Sequence, residues 1–415
     1  MIDRIAILGG SSVYLPEFIL SIITHNLNVK EIALIGRSGH KLQVVSHFCQ
    51  RVLDKSGFPC RIISTTNPEE GFSGAKYILN HIRVGGLPGR LRDEKLPPRM
   101  GMLGDETLGA GGIANALRTL PVVIDYARRI EATNPDATLI NLTNPLGAIV
   151  EALVTTSKLN VIGVCDLPHT TINRLAELLS VPAAELTVDY IGLNHMGWIQ
   201  DIKHEGRSIM GHVLDRLEGT TDDRWDRQLI ELFRMIPTKT NGLFFHTDEL
   251  LKRQLSCTRF RAEELQEVEG QILKLYENPT LNEVPPLTRQ RNAVWYEESI
   301  LPVILALESK SEKEMVLCVR NDGCIRDLPE GCSVEVPVRV GKGQAKPRVM
   351  GNSPRFLKGL FTATKECDRL TVEAVRHKSY EYALQALTVN PLVPSVDAAK
   401  KYLDRIIKDE QLALH

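Results

Sequence analysis

The chain has 415 residues, enough at roughly 150 per domain for two or three domains with a substantial core, and its 43% hydrophobic, 24% charged and 5% aromatic residues argue against disorder or a coiled coil. Fifty basic and fifty-one acidic side chains leave a formal charge of −1, so no overall field favours nucleic acid or an acidic membrane. The apolar stretches, such as Phe18 to Ile23, are far shorter than the roughly 20 residues of a membrane helix. The start, Met1 to Leu8, reads as a strand and not as a signal peptide, and the eight cysteines form no CxxC pair. Reduced thiols and a cytoplasmic location are expected.

In chain order, five short apolar runs end in polar or glycine-bearing turns: Ile5 to Leu8, Glu31 to Ile35, Lys76 to Asn80, Thr138 to Leu142 and Asn160 to Val164. Their alternation with helical patterns predicts an α/β fold, a Rossmann-like doubly wound parallel sheet over residues 1–166. Ligands of such sheets lie beyond the carboxyl ends of the strands. Over residues 167–415 the alternation fades and a second, α+β domain is expected. Its helices are placed at Arg261 to Tyr276, Asp368 to Leu387 and Val396 to Leu412, and its strands at Met315 to Val319 and Cys332 to Val340. Asn278 to Arg291, with three prolines, reads as a mobile connection.

Gly9-Gly10-Ser11-Ser12 follows the first strand and precedes a helix, so its backbone N–H groups can face a pyrophosphate. The full GxGxxG spacing is absent, and a tight structural turn explains the run equally well. Asn80, at another strand end, is placed with this cofactor turn. Strand two ends in Gly36-Arg37-Ser38; with no acid there for a ribose hydroxyl, Arg37 leaves NADP open beside NAD. Cys165 and His195 offer a thiolate and an imidazole, a pair suited to a borderline or soft divalent ion. Two protein ligands would leave room for substrate, as a four-ligand structural zinc does not. Their separation matches no recognised metal spacing, so a buried thiol and a satisfied histidine stay open. Arg83, Arg90, Arg261 and Arg291 stand beside small or polar residues and could fork onto a phosphate.

In order along the chain come Ile82-Arg83-Val84-Gly85-Gly86-Leu87, Gly104-Asp105-Glu106-Thr107, Asn141-Leu142-Thr143-Asn144-Pro145, Gly163-Val164-Cys165-Asp166, Gly192-Leu193-Asn194-His195, Arg261-Ala262-Glu263-Glu264, Arg320-Asn321-Asp322-Gly323 and Asn390-Pro391-Leu392. This series resembles glycoside hydrolase family 4 over nearly the whole chain, and within it the 6-phospho-β-glucosidases. The resemblance implies a glycosidase that departs from the two-carboxylate scheme: oxidation at sugar C3 by NAD, loss of the C2 proton and elimination of the aglycone, addition of water, then reduction. It implies a divalent metal, Mn2+ being expected, held by Cys165 and His195. A small-molecule glycoside or sugar phosphate is the substrate, and a homodimer or homotetramer is the assembly.

Carried over by position, Arg83, Glu106, Asn144 and Asn194 fall in substrate-binding segments, with Arg261 and Arg291 available to a 6-phosphate. Asp166 stands where the α-type enzymes have an acid, which leaves the anomer open. Thr240 stands where the base tyrosine is expected and Gly242 where an arginine is usual. Lys239 or His246 is the expected substitute base. If none serves, a sugar C3 dehydrogenase or a non-catalytic nucleotide- or sugar-binding sensor remains.

Overall fold

The computed structural model describes residues 1–291 and 295–415. In the first half the strands are β1 Ile2–Leu8, β2 Val29–Ile35, β3 Arg61–Thr65, β4 Tyr77–Asn80, β5 Thr138–Asn141 and β6 Asn160–Gly163. They are parallel and lie in the order β3-β2-β1-β4-β5-β6, the order of a doubly wound dinucleotide sheet. Ile5 to Leu8 are all buried, as expected of a strand covered on both faces. Strand β3 escapes sequence reading because Arg-Ile-Ile-Ser-Thr is half-exposed on the sheet edge and shows no continuous apolar run.

The second half contributes β7 Leu186–Leu193, β8 Met196–His204, β9 Arg207–Ser208, β10 Ile236–Pro237, β11 Lys313–Arg320, β12 Ser333–Gly341 and β13 Gln344–Pro347. These strands continue the same sheet. β11 runs antiparallel to β6, with Cys318 opposite Gly163, and β12 lies beside both β11 and β7. Among the described residues the sheet has 13 strands. One apolar cluster runs from Ile5 and Ile32 through Ile162 and Trp198 to Val334, Leu357 and Phe361, so both halves share a core.

Two expectations are corrected. The helical segment expected from Asp368 to Leu387 is two helices, Arg355–His377 and Tyr380–Val389. Lys378 turns left-handed (φ 52°) and the Ser379 hydroxyl caps the next helix by accepting from Tyr382 N–H, which ends one helix and starts another. The stretch 278–291 is fastened to the sheet's helices: Thr288 is buried and donates to Glu17 at 2.5 Å. No helix of the described residues is long and apolar enough to cross a membrane.

Candidate functional site

The carboxyl ends of β1, β4, β5 and β6 open into a cavity of about 450 Å3. The β1 end reaches it through a turn that only glycine allows. At Gly9 (φ 91°) a Cβ would lie 2.3 Å from the His81 carbonyl oxygen, and at Gly10 it would lie 2.7 Å from Ile35 N. That close packing seats the turn between β2 and β4, so that Gly9, Ser11 and Ser12 line the cavity just before the helix Leu15–Thr24.

Cys165 and His195 line the same cavity. Cys165 ends the β6 segment and starts the helix Asp166–Leu179. His195 sits in the two-residue link of the β7–β8 hairpin with φ 62°, a left-handed conformation that costs energy for a residue with a Cβ and clusters at functional sites. Burial pushes the Cys165 thiol up, with Glu335 and Asp166 adding to it. Burial also lowers the proton affinity of His195, against the pull of Asp105. The buried His195 Nδ1 has no partner among the described residues, and such an orphaned donor set is one a soft or borderline divalent ion fits. No third His, Cys, Asp or Glu of the described residues completes a metal cluster with them, which leaves coordination positions for substrate.

Behind the hairpin link, Asn194 donates to Glu335 at 3.2 Å and Tyr190 donates to the other Glu335 oxygen at 2.5 Å. Burial raises the Glu335 carboxyl to about 7 despite those two hydrogen bonds. Asn194 is therefore a brace under His195 and does not itself line the cavity.

Four arginines, Arg83, Arg90, Arg261 and Arg291, line the same cavity. Glu106 pairs with Arg83 and with Arg90 (3.0 Å). Burial pushes its carboxyl up, but Arg83 and Arg90 outweigh this and hold it down at about 2. Arg291 is wedged over the rings of Tyr14 (4.7 Å) and Trp295 (5.1 Å) and reaches Glu269 at 3.3 Å. Arg261, half-exposed at the rim, pairs with Glu264 at 2.7 Å. Asn144 also lines the cavity. Asp166 is the one lining carboxylate without an ion-pair partner among the described residues.

Other expected residues stand elsewhere. Thr240 donates its hydroxyl to the His195 carbonyl at 2.5 Å, Lys239 is exposed, and His246 Nε2 lies 2.8 Å from Asp226. None of the three lines the cavity, because the segment is turned to support the His195 link. Asn80 is turned away from it, bridging β4 to β5 through Asn141 at 2.7 Å, and Arg37 is exposed beyond β2. Sequence reading missed Lys41, Glu269 and Trp295 as lining residues, and placed His81 only within the strand end Asn80-His81-Ile82-Arg83 expected at the crevice, with no role of its own. Lys41, Glu269 and Trp295 carried no such strand-end signal.

The family profile "Family 4 glycosyl hydrolase" matches residues 4–181, and "Family 4 glycosyl hydrolase C-terminal domain" matches residues 190–393. The chain belongs to glycosyl hydrolase family 4. A 6-phospho-beta-glucosidase of Thermotoga maritima is 30% identical to this family member over 98% of each chain. A maltose-6'-phosphate glucosidase of Clostridium acetobutylicum is 29% identical over 97% of each. The solved Thermotoga maritima enzyme with manganese, NAD+ and glucose-6-phosphate superposes with a TM-score of 0.90 at 28% identity, covering 99% of each chain.

Proposed function

We propose that this family 4 enzyme is a 6-phospho-β-glucosidase that uses NAD and a divalent metal, Mn2+ being preferred. The observation that carries the reading is that Cys165 and His195, from separate elements, share one cavity with the Gly9–Ser12 turn and the four arginines. The names of relatives acting on phosphorylated glucosides support the substrate class. The start of the second domain at residue 167 and association as a homodimer or homotetramer belong to the same reading, the latter checked by light scattering.

Once bound, a nicotinamide would supply hydride-transfer chemistry for sugar C3 and a divalent metal would supply Lewis acidity. The chain's own groups bind and orient the reactants and supply the acid. Backbone N–H groups of the Gly9–Ser12 turn meet the dinucleotide phosphates. Cys165 and His195 would hold the ion, and Asn144 orients a sugar hydroxyl. Arg83, Arg90, Arg261 and Arg291 receive the 6-phosphate. Asp166, free of a cationic partner, protonates the departing glycosidic oxygen.

The test is release of nitrophenol from nitrophenyl 6-phospho-β-glucoside, set against the α-anomer and both unphosphorylated glucosides, with NAD or NADP, Mn2+ and a reductant. Turnover of the phosphorylated β-substrate that stops with chelator is expected; turnover indifferent to chelator and cofactor overturns the reading. The placement of Thr240, Lys239 and His246 outside the cavity favours a second reading, a sugar C3 dehydrogenase. Accumulation of reduced cofactor without nitrophenol would select it.

A further inference from the structure

His81 directly follows β4 and lies against the cofactor turn: its N–H donates to Leu8 O at 3.0 Å, and its carbonyl crowds Gly9. His81 is among the residues lining the cavity. Tyr296, buried at 1% exposure in the π-helical stretch Tyr296–Ile300, places its hydroxyl 2.8 Å from His81 Nδ1, and the two rings meet edge to face at 5.5 Å. π-helical turns are rare and concentrate at functional sites.

The proton positions follow from counting donors. Burial pushes the Tyr296 phenol up, so the O–H is retained and needs an acceptor. Its well-formed hydrogen bond is to His81 Nδ1, with the Ser12 hydroxyl and the Trp295 side chain also beside it. Burial, helped by the nearby Arg291 and Arg83 charges, lowers the His81 ring to about 3, so the imidazole is neutral and carries one proton. If that proton sat on Nδ1, the buried phenol would lose its 2.8 Å acceptor and have to turn to the Ser12 hydroxyl instead. With the phenol donating to Nδ1, the ring proton sits on Nε2 and both groups are satisfied. Nε2 has no hydrogen-bond partner among the described residues, nor is it among the buried polar atoms that lack one.

We infer that Tyr296 holds His81 as the Nε2–H tautomer, and that this N–H is a dinucleotide-positioning donor in the cavity that the Gly9–Ser12 turn also lines. The inference rests on the reading that this turn takes NAD. It gives the cavity a donor whose presence does not change across the physiological pH range, next to arginines that a phosphorylated sugar would occupy.

The test uses the full chain without metal or substrate. In protein labelled with 15N-histidine, ring-nitrogen NMR is expected to show His81 protonated at Nε2 and unprotonated at Nδ1 from pH 5 to 8, and Tyr296→Phe to mix the tautomers. By calorimetry, His81→Phe is expected to weaken NAD+ and NADH about tenfold, the worth of one hydrogen bond, and His81→Gln, which keeps an N–H, to restore most of it. Tyr296→Phe should weaken both severalfold. A wild-type ring protonated at Nδ1 overturns the tautomer, and unchanged NAD affinity in His81→Phe and His81→Gln overturns the donor. Wild-type protein that binds no NAD at all would instead sink the underlying cofactor reading, and the donor with it. If His81→Phe does not fold, His81→Gln, Tyr296→Phe and the wild-type spectrum still decide.

Discussion

At the scale of single residues, charge is concentrated on Glu106. Its carboxyl is held at about 2 in the folded chain against an ordinary value of about 4.3. A carboxyl depressed by folding stabilises fully above the unfolded value, and that stabilisation is lost as pH falls through the window from about 4.3 to 2. The expected contribution is on the order of 3 kcal/mol. Urea unfolding of wild type and Glu106→Gln across pH 2–6 checks it, and the variant should show a flatter acid limb. His81 acts in the same direction over a different window: its folded value of about 3 means the unfolded chain alone takes up that proton below about pH 6.5, lowering stability until about pH 3.

Thr240 gives a second test at this scale. Its hydroxyl holds the His195 carbonyl, so Thr240→Val should cost about 1 kcal/mol in unfolding experiments while leaving some turnover. Abolished chemistry with intact fold and metal binding would make Thr240 the base after all. Cys165→Ser replaces a thiol that can bind as an anionic thiolate with a hydroxyl that stays neutral, and is expected to weaken Mn2+ binding by about 100-fold, read by electron paramagnetic resonance of free Mn2+.

At the scale of elements, the site is held by groups that never touch it. The helix Arg355–His377 sends Lys365, 1% exposed, between Asp368 (3.0 Å), Ser333 on β12 (2.8 Å) and Glu151 on the helix Leu146–Thr156 (3.3 Å). Burial lowers the lysine's proton affinity, but the two carboxylates outweigh it and keep the ammonium charged. Lys365→Ala leaves Glu151 and Asp368 buried and uncompensated, so a loss of about 3–5 kcal/mol is expected from denaturant titration. A loss under 1 kcal/mol would mean that water replaces the ammonium.

At the scale of the molecule, the continuous sheet and shared apolar cluster predict a single unfolding transition, with calorimetric and van't Hoff enthalpies in agreement. NAD at a hundredfold over its Kd should raise that whole transition by about 2.7 kcal/mol of stability. Two transitions, with only one moved by NAD, would show that the halves unfold separately.

What the sequence determined by itself was whatever local pattern encodes: the parallel strands, from buried apolar runs; the glycine turn; and the family, from motifs spread over the whole chain. It could also name Cys165 and His195, because their residue types and motifs are visible in one dimension. Tertiary structure decided the rest, because it depends on which side chains meet across the sheet. Thr240, in the turn Lys239–Asn241, packs onto the β7–β8 link and braces His195 instead of lining the cavity, β11 and β12 weld the second half onto β6, and Tyr296 reaches His81 from 215 residues away. Contacts at such separations are selected by packing and hydrogen-bond satisfaction in three dimensions, and no local periodicity records them.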